Sequence, residues 1–313
     1  MNRRQRANVI AEQDEATAIA DRALGAYLGL AIGDALGATV AHLSAREIAL
    51  EFGVHSRLIG GGWLGLKPGQ VTDDTEMALC VGRALTRSGG WNLRAVCDEL
   101  AAWLRSAPID VGHACRRGFR RYIVEGTVQA VATEGHATNG ACARNLPVVL
   151  ACLDRTDLLD RYTLDQCHIS HHHPLADAAA LTLARMTRAL ILGHGMAAAR
   201  AEANTLVREH PVFMFKNYRG PCSADIVDTV RMVLCQYFAA NDPRACLIAT
   251  VNQGDDADTS GALVGMLAGA TWGAAALPVE WLRRLDRTIA AEIRAQVAAL
   301  LQIAHVPSTA ATA

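Results

Sequence analysis

Two short clusters of acidic and hydroxyl residues stand out in this sequence of 313 residues. One is residues 72–75 (TDDT), and the other is residues 255–260 (DDADTS). Carboxylates packed this closely repel one another unless a cation lies among them, and oxygen ligands without thiol or imidazole favour Mg²⁺ or Mn²⁺ over Zn²⁺. A helical pattern follows each cluster, so both would lie at positive helix ends. The clusters predict an all-oxygen site with room for two divalent ions.

Each cluster also has a simpler interpretation as a helix cap. Thr72 or Asp73 would serve as an N-cap, with Thr75 or Glu76 completing a capping box, and Thr259 or Ser260 would cap the later helix. An EF-hand loop beginning at Asp256 is excluded, because its twelfth position is Leu267 in place of the required Glu. One cap needs a single acidic or hydroxyl group, so the density of these clusters favours metal ligation.

Other residues that could contact a substrate give weaker signals. The tract His168, His171, His172 and His173 is either a zinc site or, as we prefer, a loop with one or two histidines facing a pocket. Residues 138–141 (TNGA) form a small-residue turn into a helix, which can accept a phosphate through backbone N–H groups but is also a common turn. Asp110 is either an N-cap or a site carboxylate, and its spacing leaves both open.

Composition limits the class of protein. The net charge is −1, which gives no support to nucleic-acid binding. The nine cysteines are scattered without a C-x-x-C pair, as expected for buried thiols in a reducing compartment, and residues 1–20 are too polar for a signal peptide. Residues 262–279 have transmembrane length but are mostly Ala and Gly, so we expect a buried helix. These features predict a cytoplasmic protein with no transmembrane segment.

Helical periodicity dominates the chain, which predicts a single all-α domain at residues 21–303, preceded by a polar extension (1–20) and followed by a flexible tail (304–313). The predicted helices span residues 15–37, 45–52, 76–86, 93–106, 111–125, 141–153, 175–192, 196–210, 224–238, 243–251, 260–274 and 278–302. Two glycine ladders with a period of four, one at positions 25, 29, 33 and 37 and the other at positions 261, 265, 269 and 273, each line one helix face. Interior glycines destabilise a helix, so we expect close helix packing at the domain centre, either between the two ladders or of each against other small residues.

Five motifs together resemble the ADP-ribosylglycohydrolase family. They are residues 33–37 (GDALG), 69–75 (GQVTDDT), 139–141 (NGA), 171–174 (HHHP) and 254–259 (GDDADT), and the similarity extends from about Asp21 to about Leu301. The resemblance implies a compact many-helix domain with a central dinuclear site for Mn²⁺ or Mg²⁺. It also implies hydrolysis of the N-glycosidic bond between ADP-ribose and an arginine side chain.

The resemblance also implies roles for individual residues. The metal ligands would be Thr72, Asp73, Asp74, Asp256, Asp258 and Thr259. Asp110 would be the carboxylate that acts on the substrate, with Asp73 and Asp256 contributing to catalysis at the metals. Asn139, Gly140 and His171 would bind ADP-ribose. The similarity is strongest to members acting in nitrogen fixation, which implies ADP-ribosylated dinitrogenase reductase as the protein substrate and a PII-type protein as a regulatory partner.

The sequence departs from the family pattern in three places, the last of which covers two residues. Ala41 stands where bacterial relatives commonly have Glu, and Asp255 replaces a usual Gly. Cys142 and Ala143 replace other small or apolar residues, whereas Arg144 is retained. Ala41 motivates one alternative, an ADP-ribose-binding regulatory protein with lost turnover. A two-metal phosphohydrolase is the other.

Overall fold

Helices form nearly all the regular structure of the chain. The computed structural model describes residues 3–133, 135 and 137–305, except for the side chains of residues 3–12 and 305. Over this part it contains no β-strand and only isolated β-bridges, in agreement with the predicted all-α class. The α-helices are α1 (Arg3–Gly37), α2 (Ala45–Phe52), α3 (Asp73–Ser88), α4 (Leu93–Arg105), α5 (His113–Glu125), α6 (Gly140–Ala143), α7 (Leu146–Ala151), α8 (Thr156–Cys167), α9 (Pro174–Ile191), α10 (Gly195–Glu209), α11 (Ile226–Ala239), α12 (Pro243–Val251), α13 (Ala257–Trp272), α14 (Val279–Arg284) and α15 (Arg287–His305).

The two glycine ladders pack against each other, which confirms the first of the two alternatives predicted from the sequence. A Cβ atom added at Gly29 would overlap the carbonyl oxygen of Gly265, and one at Gly33 would overlap that of Gly261. A Cβ atom at Gly25 would overlap the carbonyl oxygen of Gly269, so the contacts run in opposite order along α1 and α13. The two helices are therefore antiparallel and in backbone contact, which only glycine permits.

Helix α13 lies at the centre of the core. All of its residues from Ala257 to Ala270 are buried, and it packs against α1, α9, α11 and α12. The predicted buried helix is thus confirmed for the first part of the apolar run 262–279. Gly273, which was expected inside this helix, is instead its C-cap with φ 81°. None of the helices in the described part of the chain combines the length and apolar character that a membrane span requires.

Several predicted helix boundaries are wrong. The predicted helix 141–153 is divided into α6 and α7, and α8 was missed. Asp256, not Thr259 or Ser260, occupies the N-cap position of α13. Thr72 is at the N-cap of α3, but its side chain makes no capping hydrogen bond, so the predicted capping box is absent. Helix α1 begins within the predicted polar extension, and residues 306–313 of the predicted tail lie outside the described residues.

Candidate active site

One cavity of about 360 Å³ brings the two acidic clusters together. It opens where the first turns of α3 and α13 meet the loop that precedes α5. Its lining residues are His42, Trp63, Asp73, Asp74, Asp110, Val111, Gly112, His113, Ala114, Cys115, Thr138, Asn139, Gly140, His171, Ala224, Asp256, Asp258 and Thr259. Every predicted site residue except the fully buried Thr72 is in this set. The structure therefore gathers residues separated by almost 200 positions in sequence.

Asp34 fixes the position of the first acidic cluster. Its fully buried carboxylate accepts hydrogen bonds from the backbone N–H groups of Thr72 and Thr75, each at 3.1 Å. It also accepts from their hydroxyl groups, at 2.7 Å and 2.5 Å respectively. Because the Thr72 hydroxyl donates its proton to Asp34, its oxygen lone pairs remain available. Asp34 thus connects α1 to the start of α3, where Asp73 and Asp74 follow.

Burial and mutual repulsion raise the pKa values of Asp73, Asp74 and Asp258. Burial raises the pKa of Asp73 to about 7, and the Asp110 charge contributes in the same direction. Burial also raises the pKa of Asp74 and of Asp258 well above the usual range, with the neighbouring carboxylates adding to it. In the described residues no Lys or Arg forms a salt bridge with these groups. A cation bound among them would relieve this repulsion.

The donor atoms fit a hard divalent ion, although the side chains do not enclose one as they stand. Among the described residues no three His, Cys, Asp or Glu side chains converge closely enough to hold a metal ion. However, the buried Oδ2 atom of Asp74 has no hydrogen-bond partner, which is costly for a carboxylate oxygen. Carboxylate and hydroxyl oxygens are the ligands that Mg²⁺ and Mn²⁺ prefer. The set of six metal ligands therefore stays a prediction, and the carboxylate and hydroxyl oxygens of this cavity support it.

Asp110 lines the cavity and does not cap helix α5. Helix α5 begins at His113 with Gly112 at its N-cap, so the N-cap interpretation of Asp110 is wrong. The Asp110 Oδ1 atom accepts a hydrogen bond from the N–H of Val111 at 2.7 Å, and its carboxylate lines the cavity. The N–H of Gly112 donates to Asp73 Oδ2 at 3.1 Å, which ties this loop to α3. Asp110 thereby faces the same space as both acidic clusters.

Asn139 links the second acidic cluster to helix α11. Its Nδ2 group donates to Asp256 Oδ2 and, at 2.8 Å, to Thr229 Oγ1. Gly140 follows it in the cavity lining and opens α6, which has four residues. A helix this short has little macrodipole, so the predicted phosphate site at this helix start depends on backbone N–H groups alone and stays a prediction.

Only one histidine of the predicted tract faces this cavity. His171 is buried, and burial lowers its pKa to about 3, so its ring is neutral. The Nη2 group of the buried Arg144 donates to Ser170 Oγ at 2.8 Å, and that hydroxyl lies 2.8 Å from His171 Nδ1. The Nε2 atom of His171 approaches Gly140 at the cavity wall. His168 and His172 instead bond to Asp177 and to the Ala130 carbonyl oxygen, which leaves no shared zinc position in the tract.

An aromatic pair at the cavity mouth was missed by the sequence analysis. The rings of His42 and Trp63 are in T-shaped contact with centroids 4.9 Å apart, and Trp63 is 54% exposed. His42 has a left-handed backbone (φ 68°), held by its N–H group donating to the Asp255 carbonyl oxygen at 2.7 Å. Three consecutive glycines before Trp63 were the available signal. Ala41 is buried and lines a neighbouring cavity that also contains Glu51.

Comparison with known proteins shows the family of the chain. The family model for ADP-ribosylglycohydrolase matches residues 15–309, and the chain belongs to this family. It is 55% identical over 284 residues to the ADP-ribosyl-[dinitrogen reductase] glycohydrolase of Rhodospirillum rubrum, covering 91% of this chain and 97% of that protein. It is 28% identical to the ADP-ribosylarginine hydrolase Tri1 of Pseudomonas putida (strain GB-1), covering 85% and 74%. A solved structure described as an ADP-ribosylglycohydrolase-related protein complex superposes with a TM-score of 0.82 at 32% identity, covering 92% of this chain and 99% of that one.

Proposed function

We propose that this chain is a hydrolase that removes ADP-ribose from a modified arginine of a substrate protein. We further propose that the substrate protein is dinitrogenase reductase. The observation that carries the proposal is that both acidic clusters, Asp110, Asn139 and His171 line a single cavity. The 55% identity to the Rhodospirillum rubrum enzyme supports the particular substrate. The proposal includes a cytoplasmic location and a PII-type regulatory partner, which rest on that similarity.

The reaction breaks the bond between the ribose anomeric carbon and a guanidine nitrogen. Such cleavage passes through an oxocarbenium-like state, so groups that stabilise positive charge at the sugar accelerate it. Water adds to the anomeric carbon, and its proton passes to the departing arginine nitrogen. The Asp110 carboxylate is our candidate for this proton transfer, since it faces the cavity and has one oxygen not engaged by Val111. Asn139 and the neutral His171 would orient the ADP-ribose.

Two divalent ions, Mn²⁺ or Mg²⁺, would be held by oxygen atoms of the two helix starts. When bound, they would supply Lewis-acid charge to the ribose hydroxyl groups and the attacking water. The unpartnered Oδ2 atom of Asp74 and the free lone pairs of Thr72 Oγ1 support this ligand set. The proposed ligands are Thr72, Asp73, Asp74, Asp256, Asp258 and Thr259.

The first experiment is hydrolysis of ADP-ribosyl-arginine by metal-free protein with Mn²⁺ added back. We expect Mn²⁺-dependent release of ADP-ribose and unmodified arginine by the wild type and loss of that release in Asp256→Ala. The matched control is Asp255→Ala, which removes the adjacent carboxylate that does not line the cavity. Tight ADP-ribose binding without release would indicate a binding protein in place of an enzyme. Release of AMP, from hydrolysis of the pyrophosphate bond, would indicate a phosphohydrolase.

A further inference from the structure

Helix α5 carries an unusual concentration of positive charge. Four of its residues are Arg116, Arg117, Arg120 and Arg121, which we call the arginine face, in a chain whose net charge is −1. Their spacing makes two like-charge pairs at i and i+4, which destabilise a helix. The helix begins at His113, so the first two arginines also lie near its positive end. Local stability does not explain this pattern.

Nothing in the described part of the chain neutralises the arginine face. No salt bridge involves any of its four members, whereas Arg83, Arg87, Arg155 and Arg185 each pair with a carboxylate elsewhere in the fold. Arg121 donates one hydrogen bond to the Ile169 carbonyl oxygen, and its buried Nε atom has no partner. Arg116 and Arg120 are exposed to solvent. Other exposed arginines, such as Arg283 and Arg287, also form no salt bridge in the described residues. The arginine face differs from them because four such residues lie on one short helix.

The arginine face lies beside the candidate active site. The first three residues of α5, His113, Ala114 and Cys115, line the acidic cavity, and Arg116 follows directly in sequence. Arg117 is also exposed and, with Arg121, borders a second cavity that shares His171 with the first. Arg116 and Arg120 line neither cavity, so both can be changed without altering either one. A macromolecule whose modified side chain enters the acidic cavity must pass close to this helix.

We propose that the arginine face docks an acidic surface on the protein that carries the ADP-ribosylated arginine. The inference rests on the proposed function, since it requires a protein substrate. Positive charge at the rim of a binding site accelerates association with a negatively charged partner and fixes its orientation. A nucleic-acid partner is disfavoured because the adjacent cavity is lined by carboxylates and the chain has no net positive charge.

The test compares two substrates in Arg116→Glu/Arg120→Glu. Neither residue lines a cavity described above, so hydrolysis of free ADP-ribosyl-arginine should stay within about twofold of wild type. On ADP-ribosylated dinitrogenase reductase at low salt we expect kcat/KM to fall at least about tenfold, because rim charges act mainly on association. Added salt should reduce the difference in kcat/KM between wild type and variant, because it screens the charges of the arginines. Arg116→Gln/Arg120→Gln, which removes charge without reversing it, should give a smaller loss of the same kind.

The matched control is Arg283→Glu/Arg287→Glu, an exposed pair away from the cavity that changes the net charge by the same amount. An equal loss of protein hydrolysis in this control would overturn the proposal, because the effect would then be one of overall charge. An unchanged kcat/KM on the modified protein would overturn it as well, as would equal losses on both substrates. If wild type binds duplex DNA through these arginines and its protein kcat/KM is insensitive to them, nucleic acid replaces protein as the partner. Failure of wild type to cleave ADP-ribosyl-arginine would instead refute the proposed function.

Discussion

The contact between α1 and α13 makes a quantitative prediction for Gly33→Ala. Ala is favoured over Gly inside a helix by about 0.8–1 kcal/mol, so propensity alone predicts a more stable protein. The added Cβ atom would, however, overlap the Gly261 carbonyl oxygen and lie 3.0 Å from the Ala262 nitrogen. Overpacking costs about 1–3 kcal/mol, and the upper value applies because backbone atoms cannot rotate away. The net result is a loss of about 2 kcal/mol, or about 4 °C in Tm for a domain of this size.

Thermal unfolding of the metal-free protein, followed by circular dichroism, measures this change. The matched control is Ala16→Gly at an exposed position of α1, which isolates the propensity and should cost about 1 kcal/mol. Gly33 also precedes Asp34, so separating the helices should weaken stabilisation by Mn²⁺ in the same assay. A Tm above that of wild type for Gly33→Ala would refute the reasoning, because it would mean that the helices have room for a methyl group.

Three further predictions concern the site. Asp34→Asn should lower the free energy of unfolding by about 1.5–3 kcal/mol and weaken Mn²⁺ binding. The carboxylate of Asp34 accepts hydrogen bonds from four donors, and the NH₂ group of an asparagine would face donors there. A urea unfolding curve that matches that of wild type would contradict this prediction. The metal-free protein should lose stability as the pH rises from about 4 to about 7. The pKa values of Asp34 and Asp73 are raised to about 6 and about 7 in the folded state, whereas an unfolded carboxyl ionises near 4. The raised pKa values of Asp74 and Asp258 act in the same direction, and the four carboxyls together outweigh the opposite contribution of His171, whose folded pKa is about 3. Urea unfolding at a series of pH values tests the sign, and a rise of stability over that range would refute it. Trp63→Ala should raise the KM for ADP-ribosyl-arginine several-fold while leaving inhibition by free ADP-ribose unchanged, because an exposed indole face can stack on the cationic guanidinium. Trp63→Phe should retain most of the affinity for ADP-ribosyl-arginine. An equal loss of ADP-ribose inhibition in Trp63→Ala would indicate that Trp63 contacts the nucleotide instead.

Sequence reasoning predicted the parts of this site that depend on local spacing. A glycine at every fourth position defines one helix face, and two such faces allow close backbone packing. The contact between α1 and α13 could therefore be predicted from the sequence. The two acidic clusters were identifiable because their charge density exceeds what a helix cap requires. The division between α6 and α7 also had a signal, since Pro147 is favoured in the first turn of a helix and marks a new start.

The remaining features depend on contacts between distant segments. Asp34 holds Thr72 and Thr75 from 38 and 41 positions away, and a single buried aspartate in a helix carries no mark of its partners. The T-shaped contact between His42 and Trp63 likewise joins two loops that no periodicity relates. Helix α8 was missed because its N-cap residue, Arg155, makes no side-chain cap, so the usual start signal is lacking.

The rigidity of the α1–α13 contact has a consequence for the acidic cavity. Asp34 belongs to α1 and Asp258 to the first turn of α13, and backbone contact at Gly33 and Gly261 fixes the separation of these two segments. The carboxylates therefore cannot reduce their repulsion by moving apart. They can only take up protons, which the raised pKa values of Asp73 and Asp258 express, or accept a cation. Protons and divalent ions thus compete for the same oxygen atoms, so metal affinity and the pH dependence of folding are two aspects of one constraint.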